Sequence, residues 1–418
     1  MDTGRKAIIN SIGSLVVFLA QWIISVFLVR VSGYEEAGVF SLAMSVSNVF
    51  SFFANYNIRN YQISDIRQMY TQRQYLYTRI ATVIFSFIIC IVYLGTASGY
   101  NRETKFAIFI YLAYSNINVI SDVMLGSLQI RGRLDINGYS NMIRGIACLT
   151  GFTAAYILKN LLTSLCVMVM VDLLVTLVYD ARLFRKCEGR VTLPEKEDMT
   201  ALCSILKNCF LLMLSNMFPI IVTAVPRRKI QLFFGEGAVG IFSSIFTPTA
   251  LIVTLAPALV LSIIPILSDY WNQKAKAKFV YTVCKCYLLC ITITLLAEAL
   301  AVICGKPVMK LVFGESILPY YNLLYWAIAV TGLNAMTSCG NAILIPMRKS
   351  RLVVFASLLS MICTVVLADS LIQEYNITGA TYVLLLAYIV QNSIQILAIV
   401  YYIITEKEGD LKDEKSCY

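Results

Sequence analysis

The chain has 418 residues, of which 59% are hydrophobic and only 14% charged, and its mean hydropathy is +0.74. Soluble domains are roughly half apolar, so much of this chain must be solvated by lipid. Histidine is absent and the formal net charge is +10, which excludes Ser-His-Asp and Cys-His nucleophilic devices and His-ligated metals; no metal site and no cofactor are expected.

Apolar runs of about 20 residues are long enough to cross a bilayer, and in lipid only helices or closed barrels satisfy the backbone. The runs here are continuous rather than alternating, which predicts helices. Twelve spans are expected, at 10–31, 37–58, 79–98, 106–130, 141–158, 161–183, 208–226, 239–267, 279–304, 320–346, 352–372 and 379–404. The first run has no small-residue cleavage site and reads as a retained helix; it ends near Arg30. The following SDIRQMYTQRQYLYTRI (64–80) mixes Arg and Tyr with amphipathic spacing and predicts an inner-surface connecting helix. Asp122 falls within the fourth span, Asp172 within the sixth and Glu298 within the ninth, while Asp369 lies near the end of the eleventh. Ionisable groups at such depth point to ion coupling or to pairing with a buried cation.

With both termini on the cytoplasmic side, the great majority of the 34 Lys and Arg fall in inner segments, Arg144 among them, as the positive-inside rule requires. The net charge is distributed by topology, so nucleic acid is not an expected partner. The largest exception is Arg227, Arg228 and Lys229, which follow the seventh span on the outer side. Two readings stand: snorkelling to outer headgroups, with LFFGEG as a surface loop, or a cationic site, with Arg30 contributing, that suits a diphosphate.

Residues 33–41, GYEEAGVFS, match 235–243, GEGAVGIFS, at Gly33/Gly235, Gly38/Gly240, Phe40/Phe242 and Ser41/Ser243, an offset of 202. Each stretch joins the first and second spans of a six-span block. The fold expected is therefore an all-α membrane protein, with twelve transmembrane helices in two parallel six-helix lobes (1–193 and 194–418) around a central cavity. All prolines lie at or beyond Pro194; Pro219, Pro226, Pro248 and Pro257 sit in the seventh and eighth spans, either as tolerated kinks or as gating hinges. Cys284, Cys286 and Cys290 lack paired ligand spacing and read as small hydrophobes. The tail EKEGDLKDEK reads as a solvated end.

The stretches SGYEEAGVFSLAMSV, RNYQISDIRQMY, SDVMLGSLQIRGRLDINGYSNMIRG and FFGEGAVGIFSSIFTP resemble polysaccharide-biosynthesis membrane proteins, the Wzx-type oligosaccharide flippases of O-antigen, capsule and exopolysaccharide systems. These belong to the multidrug/oligosaccharidyl-lipid/polysaccharide exporter (MOP) superfamily. The resemblance covers nearly the whole chain. It implies a flippase that carries an isoprenoid-diphosphate-linked oligosaccharide across a bacterial cytoplasmic membrane by alternating access. It would act as a monomer among membrane lipids, with transient contact to a polymerase and glycosyltransferases. Arg30 and 227–229 match the diphosphate-binding role by location, and Asp122 in SDVMLG falls on a recurrent acidic position. Many relatives carry an acid near the end of the seventh helix where this chain has PRRK. A cation-coupled drug exporter of the same superfamily is the alternative, and a polysaccharide polymerase or ligase a further one. No outer loop offers a catalytic constellation, so the chain is not read as an enzyme.

Overall fold

The structure, a computed structural model, describes residues 3–65, 67–189, 196–250, 252, 263–344, 346–347 and 349–405. Among these residues the chain is nearly all helix, with no strand. The helices are α1 (Thr3–Ser32), α2 (Tyr34–Asn55), α3 (Ile58–Ser64), α4 (Gln72–Thr96), α5 (Arg102–Ile130), α6 (Leu134–Leu158), α7 (Leu161–Val175) and α8 (Ala181–Glu188). They are followed by α9 (Lys196–Phe246), α10 (Ile264–Asn272), α11 (Lys276–Phe313), α12 (Leu323–Leu344) and α13 (Ser350–Thr405). Ten helical stretches among the described residues are long and apolar enough to cross a membrane, as a multi-pass membrane protein requires.

Two of them are too long to be single spans. α9 and α13 have 51 and 56 residues, about 77 and 84 Å at 1.5 Å per residue, against a hydrocarbon core of about 30 Å. Gly235 (φ 82°, ψ 179°) interrupts α9, and Asn376 (φ 55°, ψ −140°) interrupts α13. The expected seventh and eighth spans thus meet at Gly235, and the eleventh and twelfth at Asn376. Gly33, between α1 and α2, has φ 85° and ψ −170°, nearly the values of its repeat partner Gly235. That region of backbone space is essentially open to glycine alone, so the sequence match at offset 202 is also a match of backbone conformation.

By their contacts the residues divide into two units, 1–220 with 231–240, and 221–230 with 241–418; α9 contributes to both. In the first unit α1 and α6 approach backbone to backbone. A Cβ on Gly13 would lie 2.3 Å from the Gly138 carbonyl oxygen, and one on Gly138 would lie 2.4 Å from that of Ile9. Small residues allow this in lipid, where close dispersion contact replaces the hydrophobic drive. α2 breaks after Asn55, with Tyr56 and Asn57 both left-handed (φ 44° and 56°). The buried Arg79 of α4 closes the break by donating Nη1 to the carbonyl oxygens of Ala54, at 2.6 Å, and Asn55. In the second unit the buried amides of α13 donate to neighbouring helices and within their own. Asn392 Nδ2 donates to Thr337 Oγ1 at 2.8 Å, Gln391 Nε2 to Ser357 Oγ at 2.9 Å and Gln395 Nε2 to Asn341 Oδ1 at 2.7 Å.

Two expectations are corrected. Residues 64–80 are not one connecting helix: α3 ends at Ser64 and α4 starts at Gln72. Between them the Asp65 carboxylate accepts the amides of Met69 (3.0 Å) and Tyr70 (3.2 Å), a local alternative to helical bonding. Thr71 and Gln74 then form a capping box that starts α4. The segment after Pro226 is likewise not a loop: helix continues for eight residues, to the break at Gly235. LFF prolongs the apolar run, and the stop signal is the glycine. Helical conformation persists through Pro219 and Pro226, whereas Pro248 lies in a non-helical turn between Thr247 and Thr249. Pro257 lies outside the described residues.

Candidate functional site

The first unit buries a three-residue charge network that only Asp172 announced. Arg144 of α6 is 3% exposed, and Asp172 and Asp180 are fully buried. Arg144 Nε lies 2.7 Å from Asp172 Oδ1, and Nη2 lies 2.9 Å from Asp180 Oδ2. Neutral donors complete the cage. Ser121 and Ser140 donate to the two oxygens of Asp180 at 2.6 and 2.7 Å. Asn118 Nδ2 donates to Asp172 Oδ2 at 2.9 Å, while Asn118 Oδ1 accepts from Arg144 Nη1. The network sets one guanidinium against two carboxyl groups, held by α5, α6 and the α7–α8 stretch.

The backbone explains how both acids reach one arginine. Eight residues of regular helix would rotate Asp180 about 80° away from Asp172, at about 100° per residue. Residues Thr176–Asp180 form a π-turn instead, which absorbs one extra residue. Asp180 then stands where a seventh residue would, about 20° from Asp172. Arg144 is therefore not an inner-surface cation. It was the missing partner, and the only sequence signal for it was a polar residue early in an apolar run, facing two acids in another.

The other candidate acids are placed differently. Asp122 of α5 pairs with Arg59, whose Nη2 also donates to Gln129 Oε1 at 2.9 Å, and this pair is partly exposed. Glu298 is half-buried in α11, in the second unit.

The basic trio lies on the last two turns of α9 before Gly235. Lys229 Nζ is 2.5 Å from Asp369 Oδ1 of α13. Arg227 Nη1 donates to the Thr223 carbonyl at 2.9 Å, and its guanidinium carbon lies 5.8 Å from the centroid of the Phe242 ring. Its Nε is buried with no hydrogen-bond acceptor, an unmet donor of the kind that an anion satisfies. Arg228 stands between them, half-buried. Arg30 belongs to the last turn of α1, in the first unit. Cys286 and Cys290 are buried and Cys284 exposed, and among the described residues no group of three or more His, Cys, Asp or Glu is arranged to hold a metal.

No family model matches the chain, and no curated protein matches it in sequence. Solved structures match it along nearly its full length. The lipid II flippase MurJ, in an inward closed conformation, is 12% identical with a TM-score of 0.72, over 95% of this chain and 89% of that one. A multidrug resistance MATE family transporter of the MOP superfamily, outward-facing, is 15% identical with a TM-score of 0.61, over 96% and 95%. A MOP superfamily transporter from Pyrococcus furiosus, described by the reverse polarity of its binding pocket, is 15% identical with a TM-score of 0.55, over 96% and 95%. At these identities the likeness is one of fold: this chain has the all-helical fold of MOP superfamily transporters.

Proposed function

We propose that the protein is a flippase that moves an isoprenoid-diphosphate-linked oligosaccharide across a bacterial cytoplasmic membrane, with both termini cytoplasmic, for assembly of a surface polysaccharide. The observation that carries this reading is Arg227, a half-buried side chain whose Nε–H is buried and unmet, in a helix that also presents Arg228 and Lys229. Guanidinium groups bind phosphate oxygens with charge-assisted hydrogen bonds. The fold likeness to a lipid II flippase supports a lipid-linked substrate. That structures of this fold are described as outward-facing and inward closed supports alternating access. Arg30 is assigned to the same diphosphate role. Asp122, Asp172 and Glu298 are assigned to ion coupling or charge pairing, and Pro219, Pro226, Pro248 and Pro257 to gating.

The test is flipping in proteoliposomes. A polyprenyl-diphosphate oligosaccharide is reconstituted with the protein, and its sugar is oxidised from outside by impermeant periodate. Arg227→Ala with Arg228→Ala is expected to slow exposure of the sugar by about tenfold to a hundredfold, the worth of one or two charged hydrogen bonds. A wild-type rate no faster than protein-free liposomes would overturn the reading. The second reading, a cation-coupled drug exporter, is favoured by the MATE likeness. It predicts uptake of a lipophilic cation driven by an ion gradient in the same vesicles.

A further inference from the structure

In the second unit an apolar cavity of about 300 Å³ opens along α11. It is lined by Ala297, Ala301, Cys304, Gly305 and Val308 of α11 and by Ile328 of α12, among others. Thr249, also in the lining, spends its hydroxyl on the Phe246 carbonyl oxygen at 2.8 Å. The α11 residues recur at three- and four-residue spacing, so they form one face of a helix. From Ala297 to Met309 that face runs about 18 Å at 1.5 Å per residue. One leaflet of hydrocarbon is about 15 Å deep, half of a core of about 30 Å. Leu300, Val302, Ile303 and Leu311 of the same helix are exposed, as a lipid-facing helix requires.

One end of the groove carries the marks of a membrane interface. Lys306 and Lys310 are exposed there. Lys306 Nζ lies 5.6 Å from the centroid of the Tyr321 ring, and Lys310 Nζ lies 2.6 Å from Glu315, a solvent-exposed pair of little strength. Tyr321 and Tyr325 meet edge to face at 5.4 Å, and Tyr320 and Trp326 are 38% and 42% exposed, the aromatic belt expected at headgroup level. Gly305 lets this belt dock: the Tyr321 hydroxyl donates to the Ala301 carbonyl oxygen, and a Cβ on Gly305 would lie 2.3 Å from that hydroxyl. Glu298 of the same helix lies about two turns before Lys306 and repels an anion, so the lysine end is the one that suits an anionic headgroup.

We infer that this groove seats one acyl chain of an anionic bilayer phospholipid, whose phosphate headgroup rests at Lys306 and Lys310. A neutral lipid leaves the lysine end unused, and a polyprenyl chain longer than one leaflet overruns the groove. None of the groove residues belongs to the basic trio or to the buried network, although Pro248, assigned above to gating, is part of the lining.

The test uses the full chain in nanodiscs with a phosphatidylglycerol whose acyl chain carries a photoactivatable diazirine. Cross-links should map to Ala297–Met309 and Ile328. Unlabelled phosphatidylglycerol should compete better than phosphatidylcholine by about fivefold for each lysine. Lys306→Gln with Lys310→Gln should abolish that preference without moving the cross-links. Cys304→Trp, which fills the groove, should remove the groove cross-links while exposed Leu311 is still labelled. Three results would overturn the inference: labelling spread evenly over exposed α11 residues, an unchanged preference in the double variant, or displacement by polyprenyl phosphate at lower concentration than phosphatidylglycerol.

Discussion

Arg144→Ala should destabilise the protein by about 3–5 kcal/mol, measured as loss of folded protein in detergent thermal unfolding. The cost is electrostatic. The variant leaves Asp172 and Asp180, both fully buried, without their shared cation, and an unpaired buried charge is among the most expensive defects a fold can carry. Removing charge from the acidic side is far milder. Asp180→Asn keeps a side chain of the same shape whose amide oxygen can accept from Ser121 while its Nδ2 donates to a reoriented Ser140 hydroxyl, and it leaves one acid for the one cation, so its stability should change by about 1 kcal/mol or less. Combining Arg144→Met with Asp172→Asn and Asp180→Asn should recover most of the loss, as apolar or neutral replacements of buried ion pairs often do. If Arg144→Ala unfolds like wild type, the three groups do not act as a unit. The same variants separate pairing from coupling. An ion dependence of flipping that disappears in Asp180→Asn assigns the second acid to the coupling ion, and one that persists leaves the network a purely structural device.

Gly38→Ala should be the most damaging single-methyl change in the chain, about 3 kcal/mol or more, at the upper end of overpacking costs. The added Cβ would lie 1.8 Å from the carbonyl oxygen of Glu236, and one on Gly240 would lie 2.0 Å from that of Tyr34. In both cases the obstacle is backbone, which cannot rotate away as a side chain can. The contact is reciprocal at the 202-residue offset, which takes Tyr34 to Glu236 and Gly38 to Gly240, so the two matched stretches make the same contact with each other, as in an isologous pairing. Once either methyl has pushed the two helices apart, the second finds room already made. Gly38→Ala and Gly240→Ala should therefore be non-additive, with a coupling of about 1 kcal/mol or more in thermal unfolding. Gly33→Ala is the control. It meets no atom within 4 Å but must hold φ +85°, so it carries only a conformational penalty of about 1–3 kcal/mol. Additive losses at 38 and 240 would show that the two methyls are felt separately.

The features legible in the amino-acid order are those set by short-range physics. Lipid solvation, the helical class and the approximate spans follow from apolar run lengths, because a backbone in hydrocarbon must bond to itself. The repeat around Gly33 and Gly235 was legible because glycine alone fits its backbone conformation. Helix ends were less so: α1 starts at Thr3 rather than residue 10, and α9 carries PRRK inside helix, because helical bonding continues into polar residues that hydropathy treats as boundaries. The pairing depends on contacts between distant segments. Asp172 stood out as a buried acid, but its partner is 28 residues away on another helix, and Asp180 reaches that partner only through a π-turn that leaves no local signature. Likewise, the matched glycines marked two corners, while the crossing of Gly38 with Gly240 depends on how distant helices dock. Solvation is a property of each segment and can be read residue by residue; a charge or a close contact is balanced by whatever the fold brings to it.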